Sequence, residues 1–179
     1  MDKLRVPYSV IEIPEEEDHE VMEDPEDYVR KVALRKAMKA AKRVGKGVVI
    51  AADTVILCEG EIFGKPKNAE EAKLTLRLLS GKVHEALTGL AVVDAESLKK
   101  TVSCVRTKVK MRRLTEEEIS GYLSTGEPFG KAGSYAIQGL GAILIERVEG
   151  CFYNVVGLPL AKLAEILKDF GIEVLKSTD

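Results

Sequence analysis

Aromatic side chains are scarce in this chain of 179 residues: tryptophan is absent, and phenylalanine and tyrosine together make up 5% of the sequence. A hydrophobic core must therefore be built from valine, isoleucine, leucine and alanine. An excess of positive charge is also missing, because 27 lysines and arginines are matched by 29 aspartates and glutamates. Proteins that bind duplex nucleic acid usually carry a basic face. We therefore expect no nucleic-acid partner.

Cysteine patterning and long apolar runs are missing as well. Cys58, Cys104 and Cys151 lie far apart and form no Cys-x-x-Cys pair, which argues against a disulfide framework and a zinc site. No apolar run approaches the roughly 18 to 20 residues of a membrane helix, and residues 1–8 are too short and too charged for a signal peptide. We therefore expect a cytoplasmic protein with reduced thiols and no membrane partner.

The common signatures of phosphate binding and nucleophilic catalysis do not occur in the sequence. There is no Gly-x-x-x-x-Gly-Lys-Ser/Thr loop, no Gly-x-Gly-x-x-Gly turn and no His-Glu-x-x-His pair. The two histidines, His19 and His84, lie in no context typical of a serine–histidine nucleophile. His84 is expected to be a structural residue.

Periodicity and capping residues predict several helices within one domain spanning residues 1–179. Asp24-Pro25 is a typical helix start, and Asn68 with Glu71 and Thr115 with Glu118 are capping boxes. The acidic stretch at 15–26 is expected to be a solvated loop. The predicted helices cover residues 24–45, 68–80, 115–123 and 159–171.

The predicted strands either alternate in polarity or form continuous apolar runs. Residues 47–57 are nearly all apolar, which is typical of a strand buried on both faces. Mixed with the helices, this order predicts an α/β fold with a mixed central sheet. The other predicted strands are 8–13, 85–93, 101–111, 142–148, 152–156 and 172–175, with a hairpin turn at 149–150 and a loop over 126–141.

Asp53 stands out because it is the one charged residue in the apolar run at 48–57. Burying a carboxylate costs free energy unless a hydrogen bond, an opposite charge or a metal ion compensates. Two interpretations are open at this point. Asp53 is either a structural residue bonded to nearby backbone, or a functional carboxylate that holds a metal ion or a water molecule.

Two lysines lie in rigid or glycine-rich surroundings. Lys65 stands in a Gly-Lys-Pro sequence, where both neighbours shape the backbone. Lys131 opens a glycine-rich segment whose backbone N–H groups suit an anion, and Gln138 in that segment offers an amide donor and a carbonyl acceptor. Each feature alone fits a solvated loop. Together with Asp53 they predict a site for a small phosphoester.

Several blocks, taken in order along the chain, resemble the Maf family. The resemblance runs from about residue 8 to the last predicted helix, and the shared order is far more specific than any one block. The blocks are Ala52-Asp53-Thr54-Val55, Gly64-Lys65-Pro66, Leu79-Ser80-Gly81-Lys82 with His84 and Thr88-Gly89, Tyr122-Leu123, Gly126-Glu127-Pro128, residues 131–139 and residues 154–160.

The resemblance implies an elongated α/β fold, shared with inosine-triphosphate pyrophosphatases, with two lobes around a nucleotide cleft. It implies hydrolysis of a nucleoside triphosphate to the monophosphate and pyrophosphate with a divalent metal cation, Mg²⁺ or Mn²⁺. Asp53 matches the family's proton acceptor and would also hold the metal, with Glu16 loosely matched to a second acidic residue. The positions matched to substrate contacts are Thr54 and Gln138, linked to substrate choice, and Lys36, Lys65 and Lys131, near the phosphates.

Within the family, Gln138 resembles the subgroup that acts on dTTP, UTP and related or modified nucleotides, whereas a sister subgroup prefers 7-methyl-GTP. The alternative function, from a class other than active enzymes, is regulation of cell division by a chain that binds nucleotide but is catalytically impaired. The presence of Asp53, Lys65, Lys131 and Gln138 argues against it. A homodimer is expected from the resemblance alone.

The strand and Ser-x-Ser-Pro-Arg-Arg loop with which the family normally opens have no counterpart in this sequence. Residues 1–8 match the end of the first helix of the family. A start assigned too late, a shortened chain and a true loss of the loop are the three interpretations, and the first is favoured. A true loss is expected to leave weak activity or none, because the loop supplies an arginine for phosphate.

Overall fold

A central sheet of five strands is flanked by helices in the computed structural model, which describes residues 1–14 and 24–175. The strands are β1 Val48–Cys58, β2 Glu61–Phe63, β3 Val83–Asp94, β4 Lys100–Met111 and β5 Ile145–Glu149, in the order β2-β1-β3-β4-β5. The predicted α/β class with flanking helices is confirmed. The prediction of a mixed sheet was wrong for the described strands, because every neighbouring pair is antiparallel.

The helices begin where their capping residues predict. The Asp24 side chain accepts from the N–H of Glu26, and Thr115 and Glu118 cap each other's backbone reciprocally. Asn68 accepts from the N–H of Glu71, but the Glu71 carboxylate accepts from Lys67, so that box is only half formed. The helices are α1 Pro25–Val44, α2 Ala69–Leu79, α3 Glu116–Ser124, α4 Phe152–Val155 and α5 Leu160–Lys168, with 3-10 turns at Asp2–Leu4, Ala132–Ser134 and Gly139–Leu144.

Helices cover both faces of the sheet, and alternate residues of β1 and β3 point to opposite helices. On one face, α1 packs through its alanines against Val49, Ala91 and Val93. On the other face, α5 packs against Leu90 and Val92. Farther along that second face, α2 and α3 pack against β1, β3 and β4. The core is aliphatic, as the scarcity of aromatics predicts.

Gly89 of β3 lets α1 approach the sheet unusually closely. A Cβ atom at Gly89 would lie 2.0 Å from the Val29 carbonyl oxygen of α1. Gly89 is also the cross-strand partner of Asp53 in β1, so no side chain stands beside Asp53 on that face. The missing side chain therefore brings α1 close to Asp53.

We expect Gly89→Ala to destabilise the fold by about 1–3 kcal/mol, because α1 must move away from the sheet to relieve overpacking. Gly121→Ala is the matched control. Gly121 lies in the interior of α3 with nothing within 4 Å of an added Cβ, so alanine there is expected to stabilise by roughly 0.5–1 kcal/mol. Urea denaturation of both variants measures the difference. Equal stabilities for the two variants would contradict the close packing at Gly89.

Three predicted strands near the chain ends and the site were wrong. Residues 8–13 form no strand, and no described strand pairs with them. Residues 152–155 form helix α4, because the buried Asn154 side chain donates to the Ala86 carbonyl and to Thr107 Oγ1 and holds the segment against β3 and β4. Residues 172–175 are not a strand either. After α5, the N–H of Ile172 donates to the Leu167 carbonyl and closes the helix end.

The predicted strand at 142–148 is split between two structures. Residues 139–144 form a 3-10 turn, and only Ile145–Glu149 pairs as β5 with β4. The expected hairpin turn at 149–150 is therefore wrong, since the chain passes from β5 directly into α4. A solvated acidic loop was predicted at 15–26. Residues 15–23 of it lie outside the described residues, and residues 25 and 26 belong to α1.

Strand β1 is confirmed at the predicted position, but it is not buried along its whole length. Its middle residues, 50–54, are only half-buried. Strand β2 pairs with β1 only at Ile56, Leu57 and Cys58, so the described strands leave the outer edge of β1 open before Ile56. Asp53 and Thr54 lie just beyond that boundary, where the sheet faces a cavity.

Candidate functional site

A cavity of about 610 Å³ lies beside the middle of β1. Its lining comes from α1, β1, the segment after β2, the long loop after α3, and the residues that follow α4. The structure brings together six of the residues predicted for the site, while Glu16 lies outside the described residues. The six are Lys36, Asp53, Thr54, Lys65, Lys131 and Gln138.

Asp53 forms an ion pair with Lys36. The Lys36 Nζ atom lies 2.6 Å from Asp53 Oδ1, and the Asp53 side chain remains 18% exposed. One of the two interpretations of Asp53 was a structural residue bonded to neighbouring backbone. The observed partner is instead the side chain of Lys36. The carboxylate faces a lysine and a cavity, at the point where Gly89 leaves room for α1. The charge is compensated by an ammonium group and stays accessible to a ligand.

Thr54 is anchored by a chain of buried polar groups under the cavity floor. The Thr54 Oγ1 atom lies 2.8 Å from Thr88 Oγ1. The Thr88 hydroxyl donates to the backbone carbonyl oxygen of Asn154 at 3.2 Å. The Asn154 amide donates at 3.1 Å to Thr107 Oγ1, which also accepts from Cys151 N–H. Thr88, Thr107 and Asn154 are buried. The chain links β1, β3, β4 and α4 and fixes the Thr54 hydroxyl.

The loop after α3 supplies much of the cavity wall and is held by aromatic hydroxyl groups. Tyr135, which lines the cavity, has its hydroxyl 2.8 Å from His84 Nε2. Burial lowers the pKa of His84 to about 4 and raises the pKa of Tyr135. His84 is therefore a neutral imidazole at neutral pH, and its contact with Tyr135 fits the structural role predicted for it.

Glu127 is a cavity residue that the site prediction did not include. Glu127 lines the cavity, and its carboxylate accepts from the backbone N–H groups of Leu140 and Gly141. The sequence offered one signal, because Glu127 stands in one of the blocks that resemble the Maf family. Its partners lie more than ten residues away, so periodicity and capping patterns could not assign it.

A larger cavity of about 830 Å³ lies along residues 48–52 of β1 and holds no comparable chemistry. The described residues that line it are mainly aliphatic and include no carboxylate, and Lys36 is one of its few charged groups. Cavity volume alone therefore does not identify the candidate site. The smaller cavity carries the acid, the lysines and the amide.

The antiparallel sheet with helices on both faces, and a polar cleft that holds a carboxylate among lysines, define an α/β protein with a cleft suited to a phosphorylated small molecule. Comparison with protein families matches residues 1–170 to Maf, described as Maf-like protein. The chain belongs to the Maf family. Within the described parts of the chain, no helix is long and apolar enough to cross a membrane.

Curated relatives cover nearly the whole chain. A protein of Caldanaerobacter subterraneus subsp. tengcongensis is 45% identical over 175 residues, covering 97% of this chain and 84% of its own length. A protein of Bacillus cereus strain ATCC 14579 is 45% identical, covering 97% of this chain and 90% of its own length. One from Pelotomaculum thermopropionicum is 49% identical over 151 residues, covering 84% of this chain and 79% of its own length. All three are named dTTP/UTP pyrophosphatase.

Proposed function

We propose that this chain is a nucleoside triphosphate pyrophosphatase that hydrolyses dTTP, UTP and related nucleotides to the monophosphate and pyrophosphate. The observation that carries the proposal is the half-buried Asp53 carboxylate, paired with Lys36 at 2.6 Å on the wall of a cavity that also presents Lys65, Lys131 and Gln138. The relatives named dTTP/UTP pyrophosphatase support the substrate. The single domain over 1–179, a homodimer and a cytoplasmic location stay predictions.

Asp53 acts as the general base in this proposal. Lys36 binds one carboxylate oxygen, Oδ1, which leaves Oδ2 to accept a hydrogen bond from a water molecule. The water oxygen forms a bond to the α phosphorus, and its proton passes to Asp53. The bond between the α phosphorus and the bridging oxygen breaks in line, and pyrophosphate leaves with the electron pair.

The lysines stabilise the charge that moves onto the phosphate oxygens. Lys65 and Lys131 line the same cavity as Asp53 and come from different segments, so they can meet different phosphates. Ammonium groups that already line the cavity need less reorganisation than water does as charge develops on the leaving pyrophosphate. Gly133, beside Lys131, has no room for a side chain, because a Cβ atom there would lie 2.6 Å from Ile56 Cγ1. This close packing ties the Lys131 segment to β1.

The described residues of the site can hold a divalent cation only when the nucleotide substrate supplies further ligands. Within the described ranges, no group of three or more histidine, cysteine, aspartate or glutamate side chains is placed to hold a metal ion. Mg²⁺ is commonly bound through one or two carboxylates together with substrate phosphate oxygens and water. Asp53 would supply the carboxylate, and Glu16 stays a prediction. When bound, the cation would neutralise charge on the phosphate oxygens.

The amide of Gln138 and the hydroxyl of Thr54 are the polar groups that we assign to recognition of the nucleoside. Both line the cavity, Gln138 from the long loop and Thr54 from β1. Gln138 offers a donor and an acceptor, which matches the edge of a pyrimidine base. Polar groups that the bound nucleotide covers, and that the wrong base leaves unpaired, give the discrimination.

The proposal is tested by pyrophosphate release from a substrate panel with Mg²⁺ or Mn²⁺. We expect dTTP and UTP to have a higher kcat/KM than 7-methyl-GTP, because a pyrimidine satisfies Gln138 and Thr54. The panel should contain dTTP, UTP, dATP and 7-methyl-GTP, with the mononucleotide identified as the second product. Release of inorganic phosphate instead of pyrophosphate would reject cleavage at the α phosphorus. A clear preference for 7-methyl-GTP would reject the pyrimidine assignment.

A further inference from the structure

The Glu127 carboxylate, at the start of the long loop over 126–141, binds backbone N–H groups at the end of that loop. Glu127 Oε1 accepts from the N–H of Leu140 at 2.9 Å, and Oε2 accepts from the N–H of Gly141 at 3.0 Å. The Tyr122 hydroxyl of α3 accepts from the Ala136 N–H at 2.9 Å. The Glu127 side chain thus joins the two ends of the loop, and Tyr122 ties the middle of the loop to α3.

The two N–H groups belong to the start of the 3-10 turn Gly139–Leu144, immediately after Gln138. The residue before a helical turn often caps it with its own side chain. Gln138 occupies that position with an extended backbone and makes no side-chain cap hydrogen bond. Glu127 satisfies the turn instead, so the Gln138 amide is not used for capping and lines the cavity.

Glycines make this arrangement possible. Gly139 has φ +79°, and a Cβ atom there would lie 2.6 Å from Glu127 Oε1. A Cβ atom at Gly141 would lie 2.2 Å from the Ala136 carbonyl and 2.5 Å from the Tyr122 hydroxyl. The carboxylate and the turn are therefore packed directly against each other. Any shift of Glu127 must move the backbone that carries Gln138.

We infer that Glu127 is a positioning residue, whose carboxylate holds the turn at 139–141 so that Gln138 meets the nucleobase in a fixed orientation. The inference rests on the proposed function. Glu127 binds backbone N–H groups, and it acts on the substrate through Gln138. It therefore contributes to substrate binding and selectivity, and little to the bond-breaking step.

The kinetic test compares Glu127→Ala and Glu127→Gln with the control Glu117→Gln, which changes an exposed glutamate of the neighbouring helix α3. Loss of two hydrogen bonds to a charged acceptor is expected to raise the KM for dTTP roughly tenfold in Glu127→Ala, with kcat within about threefold of the parent. The preference for dTTP over dATP should fall in parallel. Glu127→Gln keeps one acceptor oxygen and should lie between. The control should match the parent.

A second readout does not depend on activity. The hydrogen bonds from Leu140 and Gly141, in that order, lower the pKa of the Glu127 carboxyl below its ordinary value. The amide NMR signals of Leu140 and Gly141 should therefore shift together as Glu127 titrates in acid, and this shared titration should vanish in Glu127→Gln. The same spectra show whether each variant is folded.

The outcomes separate the inference from the proposed function. A parent that releases no pyrophosphate rejects the function, whatever the Glu127 variants do. An active parent whose folded Glu127→Ala variant keeps its KM and its preference for dTTP overturns the inference. A fall in kcat alone also overturns it, because Glu127 would then act on the chemical step. If neither Glu127 variant folds, the residue supports the whole domain, and a specific role in positioning Gln138 is rejected.

Discussion

Asp53→Asn is expected to lower kcat for dTTP by about 10²- to 10⁴-fold while the protein stays folded and still binds nucleotide. Asparagine has nearly the same shape, and its carbonyl oxygen can still accept from the Lys36 ammonium, which lies 2.6 Å from Asp53 Oδ1. It cannot accept a proton from water at neutral pH. The variant therefore removes the base and retains most of the local contacts. Initial rates of pyrophosphate release measure the loss.

Asp27→Asn is the matched control, because it changes an exposed aspartate near the start of α1, the helix that carries Lys36. Asp27 pairs with Arg30 at 2.9 Å on the surface, and such pairs contribute about 0–1 kcal/mol. Its kcat should equal that of the parent. An Asp53→Asn variant with kcat within about threefold of the parent would remove Asp53 from the reaction.

His84 is expected to destabilise the fold in acid by about 3 kcal/mol between pH 7 and pH 4, since each pKa unit corresponds to 1.36 kcal/mol. Burial lowers its pKa from 6.5 to about 4, so the unfolded chain takes up a proton at a higher pH than the folded chain. The unfolded state thus binds more protons between these two values, and stability falls as the pH falls through that window. Above pH 6.5 the contribution disappears.

Urea denaturation of the parent and of His84→Gln, each across pH 4 to 7, isolates this effect. The carboxyls of Glu116, Glu118 and Glu127 also have lowered pKa values, and their loss of stabilisation in acid is common to both proteins. The difference in slope therefore reports His84. His19→Gln measures the share of the second histidine. Parallel pH profiles for the parent and His84→Gln would show that His84 takes up its proton at the same pH in the folded and unfolded states.

Local signals were sufficient for the elements whose structure is set by their own residues. The caps at Asp24 and Thr115 and the apolar run of β1 all predicted the observed elements. Asp53 was found because a charge in such a run requires compensation. These inferences need only neighbouring residues, and they place the candidate base on a strand within the sheet.

Long-range contacts explain what the residues alone could not predict. The segment Phe152–Val155 has side chains typical of a strand, yet Asn154 binds Ala86 and Thr107 on two strands distant in sequence and holds a helix. Lys36 reaches Asp53 only because α1 docks against Gly89, so its place in the site came from the resemblance. Glu127 was missed for the same reason, since its partners lie at the other end of the loop.

The chain of hydroxyls under the cavity fixes the direction in which protons point. The backbone carbonyl oxygen of Asn154 can only accept a hydrogen bond, so the Thr88 hydroxyl donates its single proton to it. Thr88 then has none to give, and the Thr54 hydroxyl must donate to Thr88 Oγ1, 2.8 Å away. Thr54 Oγ1 consequently turns only lone pairs to the cavity. A ligand group that meets this oxygen must bring its own hydrogen, such as a ring N–H or a sugar hydroxyl.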